Sequence, residues 1–168
     1  MQEEKEMLEY KVIKEWTTKA GLKASCVINQ RGVINGYVAV DKHSEYYKLN
    51  YNVYSVGFED LHLWLDPYKR AAQGKLNNID VHYGLTYSRE GSKYTNLDGW
   101  VFGFDTAHSG DAFNLYEAFK HLSEDGDNFE EFYERNNYMS QYPGDTYKDL
   151  DFVINECEKL AKQLRSTR

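Results

Sequence analysis

Residues 79–88 read I-D-V-H-Y-G-L-T-Y-S and residues 100–111 read W-V-F-G-F-D-T-A-H-S-G-D, and this pair decides the fold class. The first segment carries β-branched and aromatic residues in alternation. The second is an apolar run that empties into polar residues. Both predict strands. Between them R-E-G-S-K-Y-T-N-L-D-G is rich in turn formers, so the two form an antiparallel hairpin whose loop is longer than a tight turn. Upstream, K-A-S-C-V-I-N (23–29) and G-Y-V-A-V (36–40), with turn formers at Gln30-Arg31-Gly32, predict a second hairpin across the Arg31–Asn35 region.

Outward from these strands the spacing becomes helical. Over residues 4–19, Met7, Leu8, Val12, Ile13 and Trp16 recur between Glu and Lys, and Gly21 offers a stop, so a helix is expected there. Residues 111–123 and 129–136 are expected helices on either side of the acidic loop 124–128. The last helix is the clearest. Thr146 stands as its cap with Asp149 three residues on, and Leu150, Val153, Ile154, Cys157, Leu160, Ala161 and Leu164 share one face. That face is core, and Cys157 within it reads as an inert small hydrophobe. Residues 41–57 and 74–78 read as loops, Pro67 as a helix stop or the start of a turn, and 165–168 as a frayed end. The expected class is α+β: a small antiparallel sheet packed by N- and C-terminal helices, in a single domain over 1–168.

The net charge of −7 repels phosphate backbones, which argues against general nucleic-acid binding but leaves room for a small anion in a locally basic pocket. No apolar run approaches the ~20 residues of a membrane span. The acidic start M-Q-E-E-K-E-M-L-E-Y reads as no secretory leader. Cys26 and Cys157 match no disulfide or metal framework, which places the chain in a reducing cytosol. Tyrosine is abundant, at 15 residues, and suits either half-buried strand positions or a ligand groove.

Chemistry concentrates where the strands end. In D-T-A-H-S-G-D, Asp105, His108 and Asp111 recur every third residue after an apolar strand, and Gly110 permits a tight loop around them. Carboxylate with imidazole suits a divalent metal, or a base oriented by an acid. Against this, Asp105 reads equally as a turn cap and Asp111 as the cap of a following helix. On a strand, His82, Gly84, Thr86 and Ser88 would share a face too polar and small for core, and Gly84 would mark a close approach. Antiparallel pairing then brings His82 near Asp105 and His108, the set that would hold a metal. His43, after G-Y-V-A-V, either joins from a neighbouring strand or is a solvated loop residue. His62 and His121 read as structural. No phosphate-binding loop, dinucleotide fingerprint, nucleophile elbow or H-E-x-x-H is present.

V-H-Y-G-L-T-Y-S followed by G-W-V-F-G-F-D-T-A-H-S-G-D resembles an uncharacterised family of small proteins from phages, prophages and bacteria. Its members carry a histidine-glycine-glycine-leucine-threonine strand, then a tryptophan-rich strand leading to glycine-phenylalanine-aspartate, histidine, glycine and aspartate. G-Y-V-A-V-D-K-H-S-E-Y-Y is similar to that family's upstream segment, and the likeness spans about residues 31–111. The resemblance implies ligand-site roles for His43, Tyr46, His82, Gly84, Thr86, Asp105, His108 and Asp111, and a phage context, without implying a reaction. Tyr83 departs from it where a second glycine is usual, Thr106 where cysteine is common, and Ser44 where proline is common.

Three readings follow. A binding protein in the host cytosol would capture a nucleotide-derived immune signal, its Tyr and His stacking on a base while Arg31, Arg89 or Lys93 meet phosphate. A small metal-dependent hydrolase would hold a divalent ion on His82, Asp105, His108 and His43, with Asp111 as base or supporting acceptor. An inhibitor of a host defence protein would dock through its acidic face and the Tyr-rich stretch 46–54.

Overall fold

Five strands form one antiparallel sheet in the computed structural model, which describes residues 8–52, 66–137 and 142–165. They are β1 (Tyr10–Thr17), β2 (Lys23–Asn29), β3 (Ile34–Val40), β4 (Tyr87–Glu90) and β5 (Trp100–Phe104), in the order β1-β2-β3-β5-β4. Four helices accompany them among the described residues: α1 (Pro67–Asn77), α2 (Leu115–Leu122), α3 (Phe129–Asn136) and α4 (Leu150–Leu164). The class is α+β, as the sequence leads one to expect. None of these helices is long and apolar enough to cross a membrane.

The register explains how the sheet is covered. On one face Cys26, Gly36 and Phe104 lie side by side across β2, β3 and β5. The α4 stripe of Val153, Cys157, Leu160, Ala161 and Leu164 is buried in the same core. On the other face Tyr37 lies opposite Gly103, and the 91–98 loop covers it with Tyr94 and Leu97. Each glycine makes room for a cross-strand ring. A Cβ on Gly36 would sit 2.5 Å from Phe104 Cζ and Cys157 Sγ, and one on Gly103 would sit 2.4 Å from the Tyr37 ring. Glycine weakens a strand by entropy, but here it lets two aromatic side chains lie flat across the sheet.

Several expectations are corrected. Residues 10–17 are an edge strand, not part of a helix over 4–19, and residues 4–7 lie outside the described residues. The pairing shifts between Val12 and Lys14, so Ile13 is an extra residue that the partner strand does not match. Val12 packs on the Tyr37 face while Ile13 and Trp16 pack against the main core on the opposite face. A bulge thus gives a strand the i, i+1, i+4 apolar spacing of a helix. Pro67 begins α1 rather than stopping a helix. Its fixed φ suits the first helical position, and Asp66 caps it by accepting from Tyr68 N and Lys69 N. The expected loop over 74–78 is the last turn of α1 through Asn77. Asp149, not Thr146, caps α4, accepting from Phe152 N at 2.9 Å. The strand expected over 79–88 begins only at Tyr87, because Tyr83 and Gly84 both have positive φ, 55° and 82°, and turn the chain. The alternation that would put His82 and Gly84 on the face of Thr86 and Ser88 therefore does not extend to them. His62 and residues 53–57 of the Tyr-rich loop lie outside the described residues.

Candidate functional site

The end of β5 at Phe104 sets the position of everything that follows. Buried Thr106 donates its hydroxyl to Ile34 O at 2.9 Å, and its backbone N–H donates to Asn35 Oδ1 at 3.3 Å. These bonds clamp the 105–111 segment across the end of β3. Asp105 closes the first turn by accepting from Ala107 N at 3.0 Å. A second turn closes where Asp111 N donates to His108 O at 3.0 Å, and the Asp111 carboxylate returns the bond by accepting from His108 N at 3.1 Å. Asp111 does not cap a helix. Asn114 caps α2, accepting from Glu117 N.

Asp111 is the centre of a buried charge cluster. Its side chain is 1% exposed, His82 Nε2 lies 3.0 and 2.9 Å from its two oxygens, and Lys148 Nζ lies 2.9 Å from Oδ1. Lys148 also donates to Thr146 Oγ1 and to the carbonyls of Thr146 and Gly110. Thr146 itself pairs with Asp111 in a two-residue parallel bridge, with Ala112 N donating to Thr146 O and Thr146 N to Gly110 O. Burial is the largest influence on the Asp111 carboxyl and by itself would raise its pKa. The His82 hydrogen bond, Lys148 and the His108 N–H together outweigh burial and hold the pKa below the ordinary carboxylate value. Since these partners occupy its oxygens, Asp111 works as a fastener joining three chain segments rather than as a free base.

Beside this cluster lies a more open group. His108 Nε2 is 2.9 Å from Asp105 Oδ1, with side-chain exposures of 25% and 31%, but the two are not aligned as a hydrogen bond and the nitrogen, sealed from solvent, has no hydrogen-bond partner. The Tyr83 ring lies parallel to the His108 imidazole, 4.5 Å away and tilted by 6°. The Tyr83 hydroxyl donates to Ser109 O. His82 sits edge-on to Tyr83 at 5.0 Å and to Phe152 at 5.2 Å, and 6.2 Å from the His108 ring. Two imidazoles, one partly exposed carboxylate and one exposed phenol thus meet at a single end of the sheet.

The residues singled out in the sequence divide into two sets. His82, Gly84, Asp105, His108 and Asp111 are brought together, and Thr86 adjoins them through its N–H donated to Gly103 O at 2.9 Å. His43 and Tyr46 are not. Both follow Val40, which pairs with Trp100, whereas the cluster follows Phe104, which pairs with Gly36. Four residues of strand, about 13 Å, separate those ends. Tyr46 is buried in the main core, and His43 is an exposed turn residue whose N–H donates to Asp41 Oδ1. Of the cations offered for a phosphate, Arg89 stacks over Tyr87 and Lys93 follows β4 toward the Trp100 end. Arg31, in the β2–β3 turn, lies at the cluster's end, where its carbonyl accepts from Asn114 N. Among the described residues no three His, Cys, Asp or Glu side chains are grouped to hold a metal ion. Sequence reading missed Tyr83, Ser109, Thr146, Lys148 and Phe152. Only Tyr83 carried a signal, as a bulky aromatic residue beside Gly84 in a segment otherwise singled out.

The chain matches no family model, no curated protein and no solved structure.

Proposed function

We propose that this protein binds a small polar ligand at the Phe104 end of the sheet, over His108, Asp105, Tyr83 and His82, and sequesters it without turning it over. The observation that carries the reading is the His108 imidazole, 2.9 Å from the partly exposed Asp105 carboxylate and covered on one face by the exposed Tyr83 ring. A planar polar ligand can exchange for the Tyr83 stack while its polar groups meet the Asp105 carboxylate. The resemblance to phage proteins supports a nucleotide-derived immune signal as the ligand and the host cytosol as the place of capture. A purified sample titrated with AMP, cyclic AMP and a cyclic dinucleotide is expected to gain roughly 5–10 °C in Tm near a hundredfold excess over Kd with one of them. The ligand should be recovered intact after denaturation, and His108→Ala should abolish the shift while the protein stays folded. A cleaved product in the recovered material would transfer the site to the hydrolase reading.

One observation favours the protein-partner reading; in its 46–54 stretch Tyr46 is core while Tyr51 is exposed. Tyr116, Phe129 and Tyr133 are exposed and touch in a row across α2 and α3. Between Tyr116 and Arg135 seven carboxylates face only two cations, Lys120 and Arg135. An aromatic patch within an acidic rim suits a basic protein surface. Exchanging Tyr116 and Tyr133 together for serine should leave the melting curve within about 1 °C, since surface changes are small. Loss of the biological effect in that variant, with nucleotide binding intact, would decide for this reading.

A further inference from the structure

We propose that Tyr83 is a built-in occupant of the site, its phenol standing where the planar ring of the ligand stacks, and that the ligand is therefore an aromatic heterocycle with an N–H donor on its edge. This rests on the reading of the site as a ligand site and gives the ligand a chemical class.

The backbone provides the first argument. Tyr83 holds a φ of 55°, a left-handed conformation that is unfavourable for a bulky side chain and free for glycine. Gly84 follows with a φ of 82° and open space where a side chain would be. On one side of this pair Val81 is buried and His82 is fastened to Asp111, and on the other Thr86 is bonded to β5. Two left-handed residues between fixed ends form a hinge on which a single ring is mounted. Strain of this sort persists where surrounding contacts hold it, and at functional sites it is commonly part of the mechanism.

The contacts that hold the ring provide the second argument. Tyr83 is 60% exposed, so burial does not fix it. It is held by the parallel stack on His108, the edge contact with His82 and the hydroxyl bond to Ser109 O. A planar ring bearing an N–H can reproduce all three: its face on the imidazole, its flank against His82, its donor on the Ser109 carbonyl. A nucleobase meets these requirements, whereas a sugar or a bare phosphate has no face to stack.

Exchange of one stack for another makes Tyr83 a competitor, and the apparent affinity is reduced by the fraction of molecules in which it is out. The test compares wild type, Tyr83→Gly and Tyr83→Phe by calorimetric titration with adenosine and guanosine, with ribose 5-phosphate as the ringless probe. Glycine suits the backbone, so Tyr83→Gly is expected to keep the wild-type circular dichroism. It should bind one nucleoside about tenfold more tightly. Tyr83→Phe, which keeps the plug but loses the Ser109 bond, should fall between. The His108 Nε2 signal in a histidine 15N spectrum should shift on saturation. Equal nucleoside affinity in wild type and Tyr83→Gly, lost in His108→Ala, would overturn the plug while leaving the ligand site in place. Binding of ribose 5-phosphate but of neither nucleoside would overturn the ring class. Binding of no probe by any of the three proteins would overturn the inference, while the separate titration with phosphorylated and cyclic nucleotides still decides the ligand site itself.

Discussion

Asp111→Ala is expected to remove about 3 kcal/mol of stability, a fall in Tm of roughly 6–12 °C for a chain of this size. The substitution strips a buried carboxylate from His82, Lys148 and the His108 N–H at once. Breaking a buried pair by removing one partner commonly costs about 3–5 kcal/mol, because the other charge is left buried and uncompensated. The lower end applies here, since His82 and Lys148 retain 12% and 17% of their side-chain exposure and can recover some water. The same residue sets an acid limit. Its carboxyl titrates lower in the folded protein than in the unfolded chain, so its contribution is fully present above the unfolded value of about 3.9. It drains away as the pH falls through the lower folded value. Urea unfolding between pH 2 and pH 7 should show wild type losing stability through that acid window, and Asp111→Ala showing a shallower loss there. Parallel curves for the two proteins would mean that Asp111 is not the group responsible.

Phe104→Ala is expected to cost about 4 kcal/mol, enough to leave a protein of ordinary stability marginal. The ring is buried between the sheet and α4, and it fills the room that Gly36 leaves open. Glycine cannot lean in to close the resulting cavity, so relaxation is poor and the cost belongs at the upper part of the range. Gly36→Ala approaches the same contact from the other direction. Its Cβ would lie 2.5 Å from both the ring and Cys157 Sγ, which overpacks the core by about 1–3 kcal/mol. The two changes share a contact, so their effects should not add. Alanine at position 36 should be less costly once the ring at 104 is gone, by 0.5 kcal/mol or more in a double-mutant cycle. Strict additivity would show that Gly36 and Phe104 do not compete for one space.

Much of this architecture was legible where a segment's own pattern matches its environment. K-A-S-C-V-I-N, G-Y-V-A-V and W-V-F-G-F are strands because their β-branched and aromatic residues are buried on both faces, and the stripe from Val153 to Leu164 is helical because one face alone is buried. The pattern misled at β1, where the extra residue Ile13 converts a period of two into a helix-like spacing. It misled again at 82–84, where a left-handed turn looks like alternation when read as letters. Lys148 lay beyond reach, since nothing local to it announces a partner 37 residues earlier in the chain. His43 and Tyr46 followed from likeness of motif, and likeness of motif does not say which end of a strand a residue leaves from.

The bulge in β1 also bears on how the protein behaves at high concentration. A strand at the rim of a sheet offers a free row of amide and carbonyl groups to any neighbour, the first step toward domain swapping or fibrils. In β1 the register breaks at Ile13, and Lys11, Lys14 and Glu15 stand along the strand as exposed charges. At the opposite rim β4 is only four residues long and ends in Arg89 and Glu90. A second copy of this chain seeking to extend the sheet would meet an interrupted ladder and exposed charge at one rim, and almost no ladder at the other. The charged, irregular composition that disguises β1 as a helix is what keeps copies of this sheet from joining edge to edge.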